Sequence, residues 1–355
     1  MMALYQEKRS SKCGLAPGTP IHLGKQKTPD TRITLYQYHH DQLCSETFVD
    51  QWPTSRNQDS PQKTWIHVQG IHNIDVLTRL ANEFGIHPLV IEDITNTHQR
   101  PKLEDYGHYL FLVVRQLVAC DHSKELASEQ FSLILGQQFV LSFQEGSEEW
   151  LSPLSERLNN PESRLRNSGS DYLAYEILDF IIDHYFATLE DLDQIVDQVE
   201  EDLEAAQSPS ILRALHGLRR QLIISRKSIW PLREVLSHLE RSPNGLIKET
   251  TRPFLRDVHD HTVTVIESLE IFRDLIGGML ELYHTTMSTK MNETIKLLTI
   301  TATLFLPLTL ITGMFGMNFQ HLPGLGWQWA FPVFLLTMAS LAGGMFMFFK
   351  KRMWV

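Results

Sequence analysis

A chain of 355 residues can hold a soluble domain with a sizeable core and at least one further structural unit. Its formal net charge of −10 argues against a nucleic-acid partner, and three widely spaced cysteines (Cys13, Cys44, Cys120) with no CxxC pair argue against a disulfide framework or a thiolate metal site. The charge is unevenly distributed: only four of the 32 Lys and Arg and none of the 42 Asp and Glu follow Glu293, so residues 1–293 carry a formal charge of −14.

Residues 1–30 mix Lys, Arg, Gly and Pro and lack the apolar run of a signal peptide, so this segment is expected to be disordered and to stay on the cytoplasmic side with the domain that follows. From residue 31 to about 165 short β-rich runs alternate with short helical ones. Strands are expected at Arg32 to Tyr38, Thr64 to Gln69, Tyr109 to Ala119, Phe131 to Leu135 and Phe139 to Phe143, and the last two are split by a turn at Gly136, Gln137 and Gln138. Ile74 to Phe84 repeats apolar residues at helical spacing. The segment reads as an α/β domain with a mixed or largely antiparallel sheet.

Residues 166–248 change to a helical period. Leu189, Leu192, Val196, Val199 and Leu203 form one stripe, and Leu212, Leu215, Leu218 and Leu222 form another, with Ser208 and Pro209 between them. The first helix is acidic from Glu190 to Glu204 and the second is basic, so an antiparallel hairpin would match charge as well as apolar surface. The acidic run by itself is the pattern of a solvated helix face.

After a loop at Ser242 to Gly245, residues 249–315 hold no strong helix breaker before the apolar segment except Gly277 and Gly278, and predict one long helix of roughly 100 Å at 1.5 Å per residue. Its end, Leu297 to Phe315, is uncharged, as is Ala330 to Phe349 (residues 330–349), and each is long enough to cross a bilayer. Lys290 and Lys296 precede the first span; Lys350, Lys351 and Arg352 in the basic tail 350–355 follow the second; residues 316–329 between the spans carry no charge. That asymmetry predicts a multi-pass protein of the cell membrane, the inner one where there are two, with both ends cytoplasmic and lipid around the hairpin.

The first span carries Asn292, Ile295, Thr299, Ala302, Leu306, Thr309 and Gly313 along one stripe. Such a stripe could line a narrow path, but membrane helices also bury Thr by bonding it to their own backbone, and spacing alone leaves both readings open. One hairpin cannot enclose a channel, so a pore requires several copies about an axis.

At the outer end of that span stands Gly316-Met317-Asn318, within GMFGMNFQHLPGLGWQWAFP. Together with IEDITNTHQRPKLE, SIWPLREVLS, RDVHDHT, MNETIKLLTI and the terminal KKR, it makes the chain from about Trp65 onward resemble the CorA family of Mg²⁺ transport proteins. The resemblance implies a homopentamer in which the first spans form the pore and Gly316, Met317 and Asn318 form its selectivity filter, the Asn amide oxygens holding the water shell of a hydrated cation. It implies pore and gate positions at Asn292, Ile295, Leu298, Thr299, Ala302, Leu306 and Thr309. It also implies gating by Mg²⁺ bound between subunits at Asp93 and Asp257, with Glu92 beside Asp93. Mg²⁺ would thus be both cargo and regulator, with Co²⁺ and Ni²⁺ as further cargo. The chain departs from relatives where acids follow the tripeptide: Gln320 and Gly324 stand there, and His321 adds charge only at low pH.

Two alternatives remain at this stage. A zinc transporter would share the tripeptide, although no His or Cys cluster has soft-metal spacing. A membrane-anchored enzyme or sensor would need a catalytic motif; no phosphate loop, nucleophile elbow or zinc-hydrolase motif is present.

Overall fold

The computed structural model describes residues 14, 16–40, 42–52, 62–119, 126–146, 150–205, 209–317 and 326–352. Elements follow in chain order: β1 (Arg32–Tyr38), β2 (Leu43–Val49), β3 (Lys63–Gln69), α1 (Ile74–Glu83), α2 (Pro88–Thr95), β4 (Lys102–Asp105), β5 (Tyr109–Ala119), β6 (Leu126–Gly136), β7 (Phe139–Gln144), α3 (Ser152–Asn159), α4 (Arg164–Asn167), α5 (Ser170–Ala205), α6 (Pro209–Ile229), α7 (Leu232–Glu240), α8 (Arg252–Phe315) and α9 (Ala330–Lys351). The chain divides into two compact units at the glycine pair, residues 1–277 and 278–355. The sheet and the helices α5 to α7 therefore share one unit.

Seven strands in the order β2-β1-β3-β7-β6-β5-β4 form one sheet, antiparallel throughout except where β3 pairs parallel with β7. That single parallel pair needs a crossover, and α1, α2 and the β4–β6 meander lie within it. β3 stops at Gly70, whose φ of +82° and lack of a Cβ let the chain pass beside the Asp30 carbonyl.

Pleating sends alternate side chains of the central strands to two buried faces. Tyr109, Phe111 and Val113 of β5 pack with Ile66, Val68, Ile134 and Leu141 against Val76, Leu77, Leu80, Val90 and Ile94 of α1 and α2. Leu110, Leu112 and Val114 are equally buried, on the side where α5 and α6 approach β5 and β6. Each such aliphatic or aromatic side chain withdrawn from water contributes about 1.5–3 kcal/mol before chain entropy is counted.

α2 begins with Pro88 in its first turn and is capped by His87, whose Nδ1 accepts from the Leu89 amide at 3.2 Å. On α5, Leu189, Leu192, Val196, Val199 and Leu203 are buried as a stripe. On α6 Ile211, Leu215, Leu218 and Leu222 are buried, with Leu212 only half-buried, so the apolar face starts one residue earlier than the leucine spacing suggests. The expectation of disorder through residue 30 does not hold from Ala16 onward. Leu23 is buried and pairs with Asn96 just beyond α2, and the Gly18 amide donates to Glu92 at 2.6 Å.

In the second unit α8 continues through residue 315 with Pro307 inside it, and α9 follows the described part of the connecting segment. Phe315 and Phe334 rings meet at 5.2 Å.

Candidate ion path and cation sites

α8 and α9 are both long and apolar enough to cross a membrane. Within the apolar part of α8, Ile300, Leu304, Pro307, Leu308 and Ile311 are half-buried while their neighbours are exposed. At 100° per residue these positions cluster on one face, and Asn292, Ile295, Thr299, Ala302, Leu306 and Thr309 fall roughly opposite. All six of the latter are exposed; Leu306 retains 75% of its accessible surface. Leu298 is also exposed but sits toward the flank of that stripe. One chain thus leaves this stripe of α8 uncovered.

The threonines satisfy their hydroxyl hydrogens locally. Thr299 donates to the Ile295 carbonyl and Thr309 to the Phe305 carbonyl, both at 2.8 Å, one turn back. This satisfies the donor and leaves the oxygen lone pairs free to accept from water.

At the outer end, the Gly316 amide closes the helix by donating to the Thr312 carbonyl at 2.9 Å, and Met317 follows in a bend. Gly316 does not take a positive φ, so its backbone freedom is not what turns the chain; instead, an added Cβ would lie 3.3 Å from the Thr312 carbonyl oxygen. Asn318, Gln320, His321 and Gly324 lie outside the described residues.

Two groups of acids in the first unit bear on a cation. Glu92 and Asp93, on α2, line a surface depression of about 440 Å³ together with Glu104, Asp105 and Tyr106. Asp93 is engaged within its own chain: Oδ2 accepts from Lys102 and Oδ1 from Gln99, both at 2.5 Å. Lys102 also bonds Glu104 at 2.6 Å. Burial disfavours the Lys102 charge, but these two carboxylates more than offset it and hold its pKa above the usual lysine value.

Asp257, on α8, is exposed and lies 3.9 Å from Nε2 of His261 one turn later. Asp93 and Asp257 make no hydrogen bond or ion pair with each other. His261 in turn belongs to a group that spacing within one helix did not reveal: one ligand atom from each of Asp179, Asp183 and His261 lies within 4.8 Å of the others. His261 Nδ1 is buried without a hydrogen-bond partner among the described residues. Burial, then repulsion from Asp183, raises the Asp179 pKa to about 6, with His261 acting the other way. Two carboxylates and an imidazole crowded in this way favour a cation. The sequence signal was present as Asp179-x-x-x-Asp183, two acids four apart inside the apolar run YLAYEILDFIIDHYF.

With this geometry in view, comparison with known proteins finds that the family model described as "CorA-like Mg2+ transporter protein" matches residues 61–351. The chain is 42% identical, over 99% of its length and 100% of the relative's, to the cobalt/magnesium transport protein CorA of Thermotoga maritima. The solved complete structure of the CorA magnesium transporter from Methanocaldococcus jannaschii superposes with a TM-score of 0.78 at 19% identity, covering 91% of this chain and 98% of that one. The ZntB cytoplasmic domain from Vibrio parahaemolyticus shares the fold at a TM-score of 0.57 and 14% identity over 72% of this chain and 99% of that one.

Proposed function

The chain belongs to the CorA-like Mg²⁺ transporter family, and we propose that it carries Mg²⁺, and Co²⁺ as a second cargo, through a homopentameric pore lined by α8. It is a membrane transporter, not an enzyme. The observation that carries the pore assignment is the exposed stripe of α8 opposite its half-buried face. An apolar helix face left bare by its own hairpin must meet lipid or other copies, and this one bears Asn292, Thr299 and Thr309, which suit a wet lumen better than hydrocarbon. Other copies of α8 supply the remaining walls of the path, and α9, apolar nearly all round, faces lipid.

In this reading Asn318 rings the mouth and selects the ion with its water shell, since Mg²⁺ dehydrates reluctantly and neutral amide oxygens can bind that shell without stripping it. Leu298, Ala302 and Leu306 form the apolar constriction that closes by expelling water. The basic residues flanking both spans support a reading with both termini on the cytoplasmic side of a cell membrane, the inner one where there are two.

Regulation by cytoplasmic Mg²⁺ rests on the acids. Glu92, Asp93 and Asp257, with Asp179 and Asp183, offer the hard oxygen donors this ion prefers, so the residues fit it. Bound between copies, the ion supplies the positive charge that offsets their repulsion. Lys102 covers Asp93 within a chain and competes with any such ion. Where Asp179, Asp183 and Asp257 are not neutralised, like charges push the neighbouring elements apart and favour a wider pore.

The test is Mg²⁺ uptake into proteoliposomes while Mg²⁺ on the domain side is titrated. Saturable uptake suppressed by that Mg²⁺ supports the reading, whereas Zn²⁺ uptake without Mg²⁺ uptake replaces it with a zinc carrier of the same fold.

A further inference from the structure

Away from the acids, three cations converge on a small cavity at the root of α8. Lys63 opens β3, Arg164 opens α4, and Lys248 lies four residues before α8; all three line a cavity of about 220 Å³ together with Gly169, Asp171 and Thr250. In a unit whose charge is strongly negative, such a convergence from three distant segments has a specific local geometry.

Lys63 gives one of its hydrogens to the Ser168 carbonyl. Arg164 is held over the ring of Phe254, 4.2 Å from its centroid, and lies 5.1 Å from that of Tyr172, with no ion pair among the described residues. A Cβ at Gly169 would lie 2.3 Å from Asp171 Oδ1 and 2.7 Å from Lys248 Nζ, so the glycine makes room for both the carboxylate and the ammonium. The one carboxylate present, Asp171, is already committed: Oδ2 accepts from the Lys248 amide at 3.1 Å and from the Thr251 hydroxyl at 2.6 Å. Burial and then repulsion from Lys248 lower the Lys63 pKa, while Asp171 works the other way. Three cations around one carboxylate, whose Oδ2 is taken by the Lys248 amide and the Thr251 hydroxyl, leave a surplus of positive charge and unused N–H donors.

We propose that this cavity binds a phosphate-sized oxyanion, seated between Lys63, Arg164 and Lys248. Its volume lies below the roughly 300–1,000 Å³ of sites for larger organic ligands, which favours a small ion over a nucleotide. Phosphate at physiological pH offers enough acceptor oxygens to meet all three cations, and each such bond is charge-assisted. The anion ties β3 and α4 to the segment that launches α8, so the helix carrying the ion path becomes sensitive to it at its base.

The experiment titrates inorganic phosphate into the full-length protein in phospholipid-free detergent, without divalent cations and at ionic strength held constant with chloride, following binding by calorimetry and melting temperature. The expected result is saturable binding and stabilisation by phosphate, weakened about tenfold or more in Lys248→Gln and in Arg164→Gln. Both side chains are exposed; Arg164→Gln also gives up its stacking on Phe254 and Tyr172, so its melting temperature without phosphate is measured separately, whereas Lys248→Gln carries no ring contact. Lys25→Gln, at an exposed lysine elsewhere, serves as the control and leaves binding unchanged. The proposal is overturned by an absence of phosphate binding beyond the chloride baseline, by unchanged affinity in Lys248→Gln and Arg164→Gln, or by an equal loss in the Lys25 control.

Discussion

Lys102 and Asp93 are bound to one another, with Nζ 2.5 Å from Oδ2 and both side chains about one-fifth exposed. The acid expected to hold a regulatory cation therefore carries a competing counter-charge in its own chain. Replacing Lys102 by Met removes the competitor, and a partly exposed pair of this kind is worth up to about 1 kcal/mol. The Mg²⁺ needed to suppress uptake should fall by roughly fivefold. Suppression measured in proteoliposomes at graded internal Mg²⁺ checks this, and an unchanged midpoint removes Asp93 from the regulatory set.

Asp179 gives a pH signature. Its pKa stands near 6 against an ordinary 3.8, chiefly because it is buried and then because Asp183 repels its charge. The folded state thus holds a proton there that the unfolded state has lost between those values. Its contribution is full at low pH and disappears as pH rises through about 6. In chelator-treated protein, Asp179→Asn should melt higher than wild type at pH 7 and near wild type at pH 4. A difference independent of pH contradicts this.

The ion path predicts opposite effects from two neighbouring substitutions on α8. Leu306→Ser wets the constriction, so uptake at high internal Mg²⁺ should rise several-fold. Thr309→Val keeps the shape and loses the acceptor oxygen left free by its bond to Phe305, so uptake should fall. Initial rates of Mg²⁺ uptake, normalised to protein inserted, check both. If neither rate moves, that face of α8 does not line the path.

A stability prediction lies away from the transport chemistry. Arg166 is buried and donates to the carbonyls of His39, His40 and Leu158 at 3.1–3.2 Å, tying α4 to the β1–β2 turn. Arg166→Met leaves these carbonyls without a donor and should cost about 2–4 kcal/mol. The first melting transition of the purified protein should drop on the order of 5–10 °C, with uptake at low temperature retained. A melting temperature within a degree or so of wild type would show the carbonyls finding other donors.

The elements legible in the sequence are those whose periodicity is enforced by burial. β1 and β5 occupy the expected residues because both sit inside the sheet, and α8 follows from a long stretch without breakers. β2 and β4 are the two edges of the sheet, where one neighbour suffices and polar residues are tolerated; LCSETFV and KLED show no usable alternation. α2 was missed because PLVIEDIT is too short to display a helical period, although Pro88 in its first turn marks its start. Of the candidate site, the stripe on α8 was readable from spacing because one helix carries all of it. Asp93 with Lys102 and Asp179 with His261 were not, since each pairing depends on how separate segments fold together. His67, a polar residue in a central strand, is part of the core, its Nδ1 2.9 Å from the Ser142 hydroxyl oxygen, and burial lowers its pKa to about 4.

The central claim is that the Gly-Met-Asn mouth and α8 conduct a hydrated divalent cation, and Asn318→Ala tests it most directly. Mg²⁺ uptake into proteoliposomes should be saturable in the wild type and lost or severely reduced in the variant, with the variant still inserting and melting as the wild type does. Wild-type uptake rates and ion preference persisting in Asn318→Ala would contradict the account.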